Sequence, residues 1–364
     1  MSTFVQLHML IPYPPSNPNR DDLGRPKTAV MGDAERLRIS SQCLKRAWRE
    51  SEVFEEAAKG HMGTRTKHVG DVVKRKLLDM KVKESLADKC AKGIAEVFGK
   101  LGSESKSEDN ADKKTKKNDL VLKQLAHISP EEWASIDALI AGIAKTGNEP
   151  GEQDLLLLRK DNKAVDIALF GRMLADVPKY NCEAAAQVAH AITVHKVAVE
   201  DDFFTAVDDL NMGEEDVGAG HMGVVEFGAG LFYLYICINK TLLVENLQGD
   251  SDLANNGMAA LVEAAATVAP SGKQNSFASR TRALYVLAEK GSQQPRSLAA
   301  AFLKPVAGAD QLDTAIKALR EMKDKMDKAY SKTDDGKICD ERCEMSVTEG
   351  QGKLADITTF VTGA

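Results

Sequence analysis

No apolar run in the 364-residue chain approaches the roughly 20 residues that a bilayer span needs, and its N-terminus lacks a basic segment followed by an apolar core and a cleavage site. Neither a transmembrane nor a secreted protein is expected, and the chain reads as cytoplasmic. Cysteine is thinly spread: the six residues at 43, 90, 182, 237, 339 and 343 follow no framework spacing, so reduced thiols are expected in place of disulfides. Cys339 and Cys343 stand four apart, but no second pair follows and all seven histidines lie upstream, so no zinc site is expected there. Lysine and arginine are wholly missing from Val197 to Asn239, a segment that holds nine acidic residues. Apolar side chains, Ala111 apart, are missing from Gly102 to Lys117, which reads as a mobile loop. Its KKTKK run reads first as a solvated tip and second as an electrostatic contact to DNA.

What is present is the composition of a folded protein, with 43% hydrophobic and 28% charged residues and enough length for one elaborated domain or two. The net charge of -6 is opposed by one stretch, Asn17 to Arg49, in which eight basic and four acidic side chains leave +4. This stretch opens as a loop punctuated by Pro18, Gly24 and Pro26 and closes with Arg36, Leu37, Arg38 and Ile39. Ser40 and Ser41 then offer N-caps to a helix expected to run from about Ser41 to Ala58. Gln42, Lys45, Arg46 and Arg49 fall at i, i+3, i+4 and i+7 and share one stripe, while Leu44, Ala47 and Trp48 share another. Free amides at a helix N-terminus, two hydroxyls and a row of cations suit phosphate oxygens, which makes the stretch a candidate cradle for a nucleic-acid backbone. An ordinary amphipathic helix with a solvated cationic face presents the same pattern.

Phe4 to Ile11 alternates as a strand, with His8 a packed residue of it. Residues 60 to 185 read as largely helical. Val69 to Val82 and Leu86 to Phe98 carry helical spacing, and Ser129-Pro130-Glu131-Glu132 forms a capping-box sequence. Glu183 to Ala189 reads as helix and Ala191 to Val199 as strand. Asn211 to Gly223 reads as an extended loop. Gly218, Gly220 and Gly223 spell G-x-G-x-x-G, but acids precede the motif and the strand-like VVEF follows it, so a dinucleotide site is rejected. Leu231 to Asn239 is the clearest buried strand, Asp252 to Val268 a helix and Leu284 to Ala288 a short strand. Between these last two, the loop Ser271 to Ala283 adds Lys273, Arg280 and Arg282. Gln311 to Lys328 reads as a charged helix, and the last forty residues carry no clear signal. With its insertions set aside, the order is β-α-β-β-α-β, an α+β chain of the ferredoxin-like or RRM-like kind, although stacking aromatics are not evident in Phe4 to Ile11.

Four blocks resemble one family. NRD, then a lysine, then RLRISSQCLKRAWR near the N-terminus is similar to the NRDD, Lys, RRVRISSQSLKRA pattern of the CasC-type backbone subunit of Cascade, the type I-E CRISPR surveillance complex. VDIALFGRM matches the family's VDIALSGRM, and AHAIT followed by FTAVDDL recurs in AHAITVHKV and FFTAVDDL, in the same order. The resemblance implies a right-hand shape. An RRM-like palm would take residues 1–59 and 186–300, helical fingers 60–185, an acidic thumb loop about 200–226 and a helical extension 301–364. It implies a non-catalytic protein without cofactor or metal that polymerises head to tail along CRISPR guide RNA, an open heterologous assembly. The guide would pair with target DNA, beside other Cascade subunits and a recruited helicase-nuclease. Asn19, Arg20, Lys27, Ser40, Gln42, Lys45, Arg46, Arg49 and Lys273 would line the RNA backbone. Met173 would wedge beside a displaced base, and Thr205 would touch RNA at the thumb base. Glu214 to Asp216 are expected to face a basic patch of the neighbouring copy. The family's lysine row before VDIAL is reduced here to Arg159, Lys160 and Lys163. The competing reading is target RNA cleavage of the type III kind, for which Asp33, near Glu35, is the candidate.

Overall fold

The computed structural model describes residues 2–104, 118–206, 221–331, 338–339 and 341–363. Residues 113–117 with their lysines, and residues 207–220 with Glu214, Glu215, Asp216, Gly218 and Gly220, lie outside the described residues. The chain divides into two compact units. One joins Met1–Ala57, Ala186–Thr241 and Met258–Ala364, and the other joins Ala58–Ala185 and Leu242–Gly257.

The first unit is built on an antiparallel sheet. Phe4–Ser16 lies at its centre, paired on one side with His221–Asn239 and on the other with Tyr285–Gly291. Ala191–Thr193 pairs with the far side of His221–Asn239, as does Ala186–Val188. The four strands expected from the sequence thus stand in the order fourth, first, third, second, in an α+β arrangement. Continuous apolar runs such as LFYLYICIN form strands covered on both faces. Leu10, Tyr233, Tyr285 and Leu287 pack under Phe302, Ile316 and Leu319, while Val5, Leu7 and Met9 on the opposite face are equally buried. Both faces being closed, the sheet surface is no open platform for stacking bases.

Three sequence expectations change in this unit. The basic loop contains a hairpin, Thr28–Met31 with Ala34–Ile39, closed by Gly32 and Asp33 at φ of +61° and +58°. Two left-handed residues in a two-residue turn match the right-handed twist of the flanking strands, and Gly and Asp tolerate that conformation. The helix predicted to reach Ala58 stops at Arg49 and restarts as Glu52–Ala57. Ser51 causes the break: its hydroxyl donates to Trp48 O at 2.6 Å and accepts from Phe54 N–H at 3.3 Å, ending one helix and starting the next. Glu183 to Ala189 is not helical, because Ala186–Val188 adds to the edge of the sheet and pairing overrides the alanine preference for helix. The silent C-terminus contributes a strand as well, Glu341–Ser346 beside Tyr285–Gly291, and a final helix, Leu354–Thr362.

The second unit packs the helices Val69–Asp79, Glu84–Phe98 and Pro130–Thr146 around Val73, Leu77, Ile94, Ile136 and Ile140. The capping box forms as read, with Ser129 and Glu132 bonded reciprocally. Two polar residues of the VDIALFGRM block are buried here. Asp166 accepts from Gly63 N–H and bonds His127, both at 2.8 Å. Arg172 closes on the buried Glu132 carboxylate at 2.8 and 2.9 Å.

Candidate nucleic-acid interface

The basic stretch is shaped first by asparagines. Asn17 Nδ2 donates to Gly24 O at 3.0 Å and to Glu226 O at 2.8 Å. Asn19 Oδ1 accepts the Ser40 N–H at 2.8 Å, and its carbonyl accepts Lys27 N–H at 2.9 Å. The loop is therefore bonded to the residue that caps the helix Ser41–Arg49, where the Ser40 hydroxyl accepts from Cys43 N–H at 3.3 Å. Asn19→Ala leaves the Ser40 amide without its acceptor and is expected to cost about 1–2 kcal/mol, read as a lowered melting temperature before any RNA is added.

The helix turns its faces as its spacing predicts. Leu44 and Trp48 are buried, Gln42 and Arg46 exposed, and Lys45 and Arg49 half-buried. Arg46 Nε lies 3.0 Å from Glu50 in an exposed i,i+4 pair. A groove of about 560 Å³ runs beside this stripe, lined by Asn19, Arg20, Arg46 and the Pro270–Gly272 segment, with Asp21, Asp22 and Glu50 also on its wall. Asp21 is engaged in a turn, accepting Leu23 and Arg25 N–H at 3.0 and 2.9 Å. Gly272 packs so closely that an added Cβ would lie 2.5 Å from Pro18 O. This contact sets the Ser271 loop, and half-buried Lys273 next to it, against the basic stretch. A second groove of about 800 Å³ shares Ser271 and is lined by Gln274, Asn275, Arg280 and Arg282.

The arginines of the stretch divide by burial. Arg36 is fully buried and donates to the carbonyls of Met31, Thr193 and Phe302, at 3.3, 2.9 and 2.8 Å. It pins the hairpin to the sheet and is not part of any cradle. Arg38 instead reaches the surface, with Nη1 2.8 Å from His190 Nδ1 and Nε donating to Thr28 O at 3.3 Å. Burial first, then the neighbouring Arg38 and Lys27, hold the His190 pKa below its ordinary value. Burial likewise pushes the Cys43 thiol up, against the pull of Lys27 and Arg46. Lys27, Arg38, Arg46 and the first helical turn thus share one neighbourhood. The charge pattern of the sequence did not reveal His190, and its one signal there was its place in the AHAIT block.

Thr205 lies on an exposed ribbon in which Glu200–Ala206 pairs with the start of His221–Asn239. Opposite residues share a face in such a pair, and Thr205 shares its face with Met222, Phe203 and Val224, which are 62%, 63% and 62% exposed. Met173, in the other unit, is 76% exposed and so is not a core methionine; the preceding Arg172 is anchored inward. Asp33 and Glu35 are exposed, Asp33 in the hairpin turn. Among the described residues no three His, Cys, Asp or Glu side chains converge as a metal set, and no helix is long and apolar enough to cross a membrane. All six cysteines are free thiols.

No curated protein matches the chain. A chain of a "CRISPR RNA-guided surveillance complex, pre-nicking" is 32% identical, with a TM-score of 0.81 over 99% of this chain and 100% of that one. A chain of a "CRISPR RNA-guided surveillance complex" is 26% identical, with a TM-score of 0.72 over 99% and 100%. The model of the CT1975-like protein family matches residues 5–360. With the four sequence blocks and a mixed α+β fold shared along the whole length, the chain belongs to the CT1975-like family, the CasC-type backbone subunits of Cascade.

Proposed function

We propose that this subunit holds CRISPR guide RNA by its backbone and presents the bases for pairing with target DNA, without cutting either strand. The observation that carries this reading is the juxtaposition of a capped helix N-terminus with Lys27, Arg38 and Arg46, beside a groove that Arg46 lines with Asn19 and Arg20, in a chain of net charge -6. Contacts of this kind are blind to sequence, so specificity passes to the guide. Asn19, Arg20, Lys27, Ser40, Gln42, Lys45, Arg46, Arg49 and Lys273 make up the cradle, with Asn19 and Ser40 shaping it by bonds already made within the protein. Met173 and the ribbon face of Thr205 and Phe203 offer apolar surface to unstacked bases, consistent with their exposure. In this reading residues 1–59 and 186–300 are the palm, 60–185 the fingers, the segment 200–226 the thumb and 301–364 an extension. Copies assemble head to tail in the cytoplasm with other Cascade subunits, and a helicase-nuclease acts on the captured DNA. Purified protein should carry a discrete guide-sized RNA, seen as a raised ratio of absorbance at 260 to 280 nm; protein that purifies free of nucleic acid and fails to retain added RNA would sink the proposal.

The enzymatic alternative rests on Asp33. Its place in a two-residue turn with positive φ accounts for an aspartate there without catalysis. Assembled complex given labelled complementary RNA or DNA with magnesium is expected to leave both intact, with Asp33→Ala indistinguishable from the wild type. Regularly spaced cuts that vanish in Asp33→Ala would install the cleaving enzyme instead.

A further inference from the structure

His190 is exposed at the end of the strand Ala191–Thr193, and its Nδ1 is 2.8 Å from Arg38 Nη1. A guanidinium offers only donors, so Nδ1 accepts, the imidazole carries its proton on Nε2 and the ring is neutral. Arg38 comes from the hairpin strand Ala34–Ile39, and its main-chain N–H donates to Lys27 O at 2.8 Å, which brings the lysine to the same place from the preceding loop. After burial, the charges of these two cations are what lower the His190 pKa. The histidine therefore stands where a third positive charge is unwelcome until an anion arrives.

We propose that His190 is a further contact to the RNA backbone and that it takes up a proton from solvent when a phosphate engages Arg38 and Lys27. The inference rests on the RNA-backbone reading above. As a guanidinium N–H turns from Nδ1 to a phosphate oxygen, the Nδ1 lone pair is released and a solvent proton adds to it. The resulting imidazolium donates from both nitrogens, and the phosphate charge removes the repulsion from Lys27 and Arg38. The only covalent change is the new N–H bond, and nothing is oxidised or reduced. Since the pKa begins below 6.5 in the free protein and rises on binding, the complex holds more protons than its parts. Affinity then increases as pH falls through the window between the two values, by about tenfold for each unit of rise.

The test uses the full chain and a single-stranded RNA of mixed sequence. Titration calorimetry in two phosphate-free buffers of different ionisation enthalpy counts the protons taken up per bound chain. Wild type is expected to take up protons near neutral pH, and His190→Gln, which keeps an amide donor but cannot titrate, to lose that uptake. Equal uptake by both proteins overturns the inference. So does an imidazole nitrogen spectrum of the wild type in which His190 stays neutral after RNA is added, a readout that needs no variant to fold. RNA binding without proton uptake refutes this inference alone, whereas no RNA binding at any pH refutes the parent proposal as well.

Discussion

Alanine at Lys45 and Arg49 together is expected to weaken binding of single-stranded RNA of every sequence and to flatten its dependence on salt. Each phosphate contact to a single strand contributes about 0.7 to the slope of log K against log salt, so the pair should remove roughly 1.4 and cost on the order of tenfold in affinity at physiological salt. The face these residues occupy is set from below: Leu44 is 2% exposed and Trp48 is wholly buried, so the helix cannot roll without emptying the core. Gln42, Lys45, Arg46 and Arg49 are thereby held on the outer side whatever partner arrives. Measuring Kd across a salt series, with circular dichroism to confirm the fold, decides the matter. A slope equal to that of the wild type would mean that the stripe does no more than meet solvent.

Glu289→Ala is expected to have the largest effect on stability. The Glu289 side chain is fully buried in the strand Tyr285–Gly291. It is met by His8 Nε2 at 3.2 Å, by Arg342 at 2.8 Å and by Arg296, while Arg342 continues to Asp327 at 2.6 Å. Burial opposes the charge of Glu289, yet the bonds from His8 and Arg296 outweigh it and hold the carboxyl far below the usual carboxylate range. Removing it strands two arginines in a partly desolvated site, for a loss of about 3–5 kcal/mol in chemical denaturation. The network also sets the acid limb. An ionised Glu289 can only accept, so His8 donates from Nε2 and accepts at Nδ1 from the Tyr233 hydroxyl at 2.8 Å, a neutral ring whose pKa burial lowers. The unfolded chain therefore binds a proton at His8 that the folded chain refuses, and stability should begin to fall below about pH 6.5. The Glu289 contribution, present above its unfolded pKa near 4.3, is lost further down as pH falls through its depressed folded value. A flat stability profile between neutrality and about pH 5 would contradict the assignment for His8.

Much of this was legible from local signals. Ser40 caps where the Ser-Ser pair stood before an amphipathic run, Ser129 and Glu132 close their box, and LFYLYICIN is a strand buried on both faces. The differences share a cause. Alanine-rich 183–189 has the propensity of a helix, but Ala186–Val188 gains more from pairing with Ile236–Ile238 than from a short helix. The hairpin at Gly32-Asp33 leaves little trace because its strands are short and one of them, AERLRI, is charged like a loop. The C-terminal strand gave no signal because ERCEMS takes its stability from the Tyr285–Gly291 neighbour and from the Arg342 network, not from its own pattern.

The identity of the chain and the composition of its cationic helix are written along the sequence, because caps, helical stripes and family blocks depend on residues within a few positions of one another. Which arginine does what is not written there. Arg36 and Arg38 stand two apart with the same chemistry, yet Arg36 is buried by acceptors 157 and 266 positions away, Thr193 and Phe302. Arg38 is left at the surface with a histidine 152 positions away. Neighbours in a strand point to opposite sides, but residues two apart share a side, and so alternation could not separate these two. Their different fates come from what the sheet and the Ala299–Phe302 turn place around each guanidinium, a matter of long-range packing that assigns one cation to the core and leaves the other at the surface.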